Sequence, residues 1–255
     1  RYKNFLTIVG LASIHRSTLS SNIVESALVN LGISESVNVL SSGTDGIVVT
    51  DGRKYSARHP VYIRELFEKI VSTLMIRNCV VALLEAFSEY EAPVIKNVGK
   101  ADGVVCKSII NHRFVKEMMR NDEEKVRSVY EAFETKFHID GLYWLQYGLA
   151  LRDFGRHAES LERLKTARQA YYSPQIEHGY AQQLMILASR APNWDEAEPM
   201  LNEAVTALRE LNRRAEASDT YPIVTLAEGH ISVMLKFFGV DGIKVLAQQY
   251  GNELL

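Results

Sequence analysis

A chain of 255 residues, against about 150 per domain, holds one or two domains. Hydrophobic residues at 47% and charged residues at 24% exclude a disordered chain, a collagen-like fibre and a disulfide scaffold. Lys+Arg 29 against Asp+Glu 31 leaves a net charge of −2, so no basic excess announces nucleic acid.

The first part mixes helix and strand signals. Phe5, Leu6, Ile8, Val9, Leu11, Ala12 and Ile14 predict a short apolar helix. Ser20-Ser21 offers a cap for a second, with Ile23, Val24, Ala27, Leu28 and Leu31 on one stripe and Gly32 at the C-terminal turn. Residues 41–46 read as a loop by composition. Residues 47–50 and 55–58 read as strands joined by a turn at Asp51-Gly52. Pro60 fits the first turn of a helix whose expected buried face is Val61, Ile63, Leu66, Phe67, Ile70, Val71 and Leu74. Two helices, a β-hairpin wing and a further helix make a winged-helix domain over residues 1–76.

From residue 77 onward the chain reads as helix. Residues 79–90, 107–119 and 123–137 are expected helices, with a break at 93–103, and residues 77–139 form a helical linker or bridging region. After Asp140 a longer regularity begins. Trp144, Tyr147, Gly148, Leu151, Gly155, Ser160, Leu164 and Ala167 match the spacing of a tetratricopeptide repeat. A weaker copy places Trp194, Ala197, Leu201 and Ala204 at the spacing of His157, Ser160, Leu164 and Ala167. Its earlier helix, 175–190, carries Met185 where the first copy has its glycine. Helices over 219–238 and 241–254 continue the array. The expected fold class is therefore mainly α: an N-terminal winged helix with a β-hairpin wing, then an α-solenoid of tetratricopeptide-like helix pairs over 140–255.

The longest uninterrupted apolar run, 79–84, is far short of the roughly 20 residues of a membrane span, so no membrane helix is expected. The opening Arg1-Tyr2-Lys3-Asn4 reads like an internal piece of a longer chain, without a signal region. Two cysteines, Cys79 and Cys106, and no Asn-x-Ser/Thr acceptor suit a reducing, cytoplasmic setting. No phosphate loop, dinucleotide-binding glycine motif, nucleophile elbow or His-Glu-x-x-His occurs, and none of the seven histidines pairs with another at i, i+4. The chain by itself is expected not to be an enzyme, to hold no metal and to carry no cofactor.

One histidine stands apart. In Arg58-His59-Pro60 a cation and an imidazole meet the expected N-terminus of a helix, an environment suited to phosphate. The alternative is that both residues only fix the strand-to-helix corner. In the repeat region, 140–217 holds nine Lys+Arg and eleven Asp+Glu. There Arg152, Arg156, Arg163 and Arg168 are candidates for a basic strip that takes an acidic protein or peptide, against the plainer reading of a solvated face. The segment expected to enter a DNA groove, 18–31, contains no Lys or Arg, which weighs against nucleic acid.

The order of these parts resembles the C-terminal half of STAND-class P-loop NTPases, the signalling ATPases that include bacterial NLR-like antiphage proteins. The resembling stretches are 55–63 around Arg58-His59-Pro60, 141–150 around Trp144 and Tyr147, and Asp219-Thr220-Tyr221-Pro222-Ile223. The resemblance implies a sensor segment whose His59, with Arg58, contacts a nucleotide phosphate in the inactive state. ADP or ATP would then be bound by the full-length protein, next to an upstream nucleotide-binding domain. It also implies repeats that receive a protein trigger, and homo-oligomers on activation. The family's frequent Met-His-Asp triplet reads Arg58-His59-Pro60 here. Two other readings stand beside it: a stand-alone tetratricopeptide scaffold that binds a peptide, and a winged-helix DNA-binding regulator.

Overall fold

The computed structural model describes residues 1–216 and 219–253. It is mainly helical and divides into two compact units, Arg1–Ala150 and Leu151–Leu255.

In the first unit, α1 (Tyr2–Ile14) is buried along most of its length, as its apolar run requires. A two-residue strand, β1 (Leu19–Ser20), leads into α2 (Ser21–Asn30). Gly32 has φ +72° and closes α2: its N–H donates to the carbonyl of Val29 and that of Ile33 donates to Leu28. This pairing satisfies two of the last carbonyls of the helix. Next, α3 (Val37–Ser42) is capped by the Ser36 hydroxyl. It takes in Ser41 and Ser42, expected as loop, because Val37 and Leu40 are buried and anchor one helical turn.

Strands β2 (Val48–Asp51) and β3 (Lys54–Ala57) pair antiparallel, with Asp51 opposite Lys54. The tight turn is therefore Gly52-Arg53, one residue later than expected, since Gly52 takes φ +62°. Leu19 pairs with Tyr55, making a three-stranded sheet of order β1-β3-β2. Two residues carry no period, so sequence pattern missed β1.

Helix α4 (Pro60–Lys69) opens with Pro60 in its first turn. It buries Ile63 and Phe67 on α1, at Gly10, where a Cβ would lie 2.7 Å from Ile63 and 3.0 Å from Phe67. The expected face is only partly right. Val61 is 80% exposed, and Ile70 and Leu74 are also exposed. The helix ends at Lys69, and Ser72 caps α5 (Thr73–Phe87), so the 3.6-residue register breaks before Leu74.

Helix α5 runs through residue 76 and is the apolar centre of the unit, burying Ile76, Cys79, Val80, Leu83, Leu84 and Phe87. It is followed by α6 (Val94–Asn97), α7 (Lys100–Ile109), α8 (His112–Met118) and α9 (Glu123–Glu131). Buried polar groups tie distant segments together. The Asp102 carboxylate accepts from the Ser20 N–H at 2.9 Å, and the Ser17 hydroxyl donates to the Ala101 carbonyl. Asp140 caps α10 (Gly141–Asp153) through the N–H groups of Leu142 and Tyr143, and its second oxygen accepts from Val94 at 3.0 Å. Against α10 lies an aromatic cluster: Tyr130 stacks on Tyr147 with centroids 4.9 Å apart, and Tyr143 contacts Tyr130, Phe137 and Trp144.

The second unit is a run of helices: α11 (His157–Ala170), α12 (Pro174–Arg190), α13 (Trp194–Arg214) and α14 (Tyr221–Glu253). No strand occurs between 140 and 211. Ser160, Leu164 and Ala167 on α11 are buried, and so are Ala197, Leu201 and Ala204 on α13, the equivalence expected from their spacing. Met185, at the place of the first copy's glycine, has its complement across the groove. A Cβ on Gly229 of α14 would lie 2.8 Å from its Cγ. At Gly239 (φ 60°, ψ −148°) α14 is broken into two helical pieces, close to the expected division at 239–240. The end of the expected helix 241–254 lies outside the described residues.

By length and composition Tyr221–Gln248 is apolar enough to cross a membrane, and it is mostly exposed. Counting only uninterrupted runs overlooked it, because Glu228, His230 and Lys236 interrupt the apolar sequence. Gly239 ends the straight part after 18 residues, about 27 Å.

Candidate functional site

The corner between β3 and α4 is fixed from behind. The Ala57 N–H donates to the buried Ser13 hydroxyl oxygen at 2.6 Å, and the Arg58 N–H donates to the Ile47 carbonyl at 2.8 Å. His59 then takes extended angles (φ −129°, ψ 94°) as the cap residue, without capping through its side chain. Pro60 has no N–H to give. The N–H groups of Val61 and Tyr62 belong to the first turn, which has no intrahelical acceptors. No acidic side chain lies in that turn.

The result is a cleft of about 290 Å³ lined by Gly46, Ile47, Ala57, Arg58, His59, Tyr62 and Ile63. Arg58 and His59 are exposed, and neither side chain has a hydrogen-bonding or ion-pair partner among the described residues. The structure thus brings the two expected residues together on one rim, beside the positive end of a helix dipole. Sequence reasoning missed Tyr62 and Ile47, whose exposed apolar surfaces line the same cleft, because Val61 was expected on the buried face and Ile47 inside a strand.

The four arginines of the second unit fare differently. Arg152 donates to the Gln182 side chain at 2.6 Å. Arg168 pairs with Glu177 at 2.9 Å and Glu203 at 3.4 Å, and its guanidinium lies 4.1 Å from the centroid of the Tyr180 ring. Burial opposes its charge, but the hydrogen bond to Glu177 and the charges of Glu177, Tyr180 and Glu203 override that and hold its pKa above the ordinary value. Tyr180, buried and donating to Glu203, is pushed up to about 12. Arg163 lies midway along α11, and Arg156 is the residue before its first turn. At least two of the four are thus engaged within the protein, so together they do not present one open basic strip.

A second concavity, about 200 Å³, lies between α12 and α14, lined among others by Gln182, Met185, Thr225, Glu228 and Ser232. The two cysteines are free and buried. Burial pushes the Cys79 thiol up to about 12 and raises Cys106 further, so neither is a nucleophile near neutral pH. The segment 18–31, expected to meet DNA, is β1 plus α2. The helix following it across a turn is α3, and it too lacks Lys and Arg.

Comparison with family models, with curated proteins and with solved structures gives no match to this chain.

Proposed function

We propose that this chain is a non-catalytic regulatory and sensor segment of a STAND-type signalling ATPase. In this reading residues 1–76 act as a winged helix that restrains a nucleotide switch, and the helices after Asp140 act as tetratricopeptide-like repeats that bind a protein trigger. The element order α1-β1-α2-α3-β2-β3 with a hairpin wing supports the first assignment, and the equivalent buried positions of α11 and α13 support the second.

The observation that carries the proposal is the unpartnered Arg58-His59 pair at the mouth of the α4 cleft. A residue whose task is only to fix a corner bonds to its own domain. Here the backbone and Ser13 fix the corner, and the two side chains are left facing solvent. His59 donates one hydrogen bond to a phosphate oxygen of an ADP held by an adjoining nucleotide-binding domain, and Arg58 adds a charge-assisted contact. The Tyr62 ring and Ile47 supply apolar surface beside it.

The test is His59→Ala in the protein that joins this segment to its nucleotide domain. A contact worth about 1.5–3 kcal/mol shifts the inactive-to-active balance by about ten- to a hundredfold. ADP retention should fall and basal signalling rise, while thermal unfolding of the 255-residue segment stays unchanged. Lower thermal stability with unaltered ADP retention would assign His59 to the corner alone.

A further inference from the structure

The first piece of α14 has two apolar faces. One, with Leu226, His230 and Val233, is buried where α14 packs on α12 and α13. The other is partly open to solvent: Tyr221 is 75% exposed, Val224 47%, Ile231 44%, Leu235 51% and Phe238 45%, with exposed Glu228 among them, while the edges of Tyr221 and Phe238 also meet His178 and Trp194. Residues 221, 224, 228, 231, 235 and 238 are spaced alternately three and four apart. That is the a/d spacing of a coiled-coil seam, and it runs the full length of the straight part before Gly239 ends it. Such spacing fits a helix as the covering element, because knobs at this period meet the holes of another helix.

We propose that this seam is the docking surface for a second copy of the chain, with the two α14 helices antiparallel. Laid against itself in that direction, the seam matches in size at each layer. Tyr221 meets Phe238 of the second copy, Val224 meets Leu235, and Glu228 meets Ile231. A two-fold interface requires this reciprocity, in which each residue meets the other's counterpart. The flanking positions, Thr225 and Ser232 on one side and Ala227 and Met234 on the other, bring no like charges together. The exposed surface of the five hydrophobic positions is on the order of 500 Å² per copy, so their complete burial removes roughly 1,000 Å² from the pair, the lower bound of a specific interface. A membrane surface is the poorer occupant. Glu228 sits inside the seam, and Lys236 and Lys244 are balanced by Glu228 and Asp241, leaving no basic excess to hold anionic headgroups.

Glu228 limits the association. It is the one acidic seam position, and each carboxyl group is carried into an apolar layer within about 10 Å of its symmetry mate. The inference stands independently of the nucleotide reading.

Sedimentation equilibrium of the chain over about 1–100 µM tests it. Expected is a monomer–dimer equilibrium that Leu235→Asp abolishes without changing far-UV circular dichroism, and that Glu228→Leu tightens at least tenfold. Under mild oxidation the double variant Val224→Cys/Leu235→Cys should cross-link between copies, and Val224→Cys alone should not. Buried Cys79 and Cys106 do not compete. A monomer throughout the range would overturn the proposal, as would a dimer indifferent to Leu235→Asp or to Glu228→Leu. Cross-linking by Val224→Cys alone would overturn the antiparallel register. Association with phosphatidylserine-containing vesicles that Leu235→Asp abolishes would assign the seam to a membrane instead.

Discussion

The two units differ in the kind of contact that holds each of them together internally. In Arg1–Ala150 the fold depends on polar links between residues far apart in sequence: Ser20 to Asp102, Ser17 to Ala101, Ala57 to Ser13, Val94 to Asp140. The last two are buried and the first two partly so, which makes the buried pair the costlier to leave unmade. In Leu151–Leu255 the packing is mostly between helices adjacent in sequence, α11 on α12, α12 on α13 and α13 on α14, with α12 also meeting α14. In the proposed repeat reading such an arrangement is quasi-one-dimensional, with stability that sums over neighbouring interfaces. Long-range links thus mark the first unit, and contacts between sequence neighbours mark the second. The proposed division of labour follows the same line: a fixed corner in one, an extensible surface in the other.

The largest effect that would sharpen this contrast is in the aromatic cluster. Tyr130 is buried, stacks on Tyr147, donates to the Ile110 carbonyl at 2.8 Å and its own carbonyl accepts from Tyr143. Tyr130→Ala should cost about 3–5 kcal/mol. Hydrogen exchange should then quicken across the whole first unit, including the sheet. Protection lost only around α9 would break the idea of a cooperative unit.

Leu201→Ala on α13 should cost about 2–4 kcal/mol but act locally. Exchange should rise in α12, α13 and α14 and stay unchanged in α1 to α9. If the loss reached α1, the two units would be one cooperative body.

Gly10→Ala puts a methyl group against Ile63 and Phe67 and should cost about 1–3 kcal/mol. Because it pushes on the buried face of α4, it should also perturb the amide resonances of Arg58 and His59. An unperturbed corner would mean that α1 does not position the cleft.

The smallest effect is a pH dependence. His15 in the first unit and His178 in the second are both held below the ordinary histidine pKa, chiefly by burial, with Arg64 adding to this for His15. A depressed folded pKa means that the unfolded chain binds more protons just below its ordinary value of about 6.5, so stability rises with pH there. Tm should be level above that pH and fall as pH drops through it toward the lower folded values. His178→Gln should remove its own part of this slope and leave the part owed to His157, which burial and Arg190 also hold below the ordinary value. A Tm that rises on acidification through this window would contradict the assignment.

Elements whose signal is local are legible in the amino-acid sequence. Helix periods, the Gly32 closure of α2, a hairpin near Asp51-Gly52, Pro60 at a helix start and the equal spacing in α11 and α13 depend on backbone preferences and on burial repeated along one chain segment. The placing of Arg58 and His59 at the start of α4 belongs to this class, since a strand, a proline and an apolar period bracket the site. The rest depends on contacts between segments far apart in sequence. Strand β1 exists because β3 offers it hydrogen bonds, and α4 and α5 divide because Ser72 caps a second helix. Val61 and Tyr62 are exposed, while Ile63 and Phe67 of the same helix pack at Gly10 of α1. Met185 is accommodated by a glycine 44 positions onward, in another helix. Arg168, by sequence a candidate for a basic strip or a solvated face, is enclosed by Glu177, Glu203 and Tyr180. Composition and spacing specify which residues a segment can bury, but which partner reaches each face is fixed only when the segments pack.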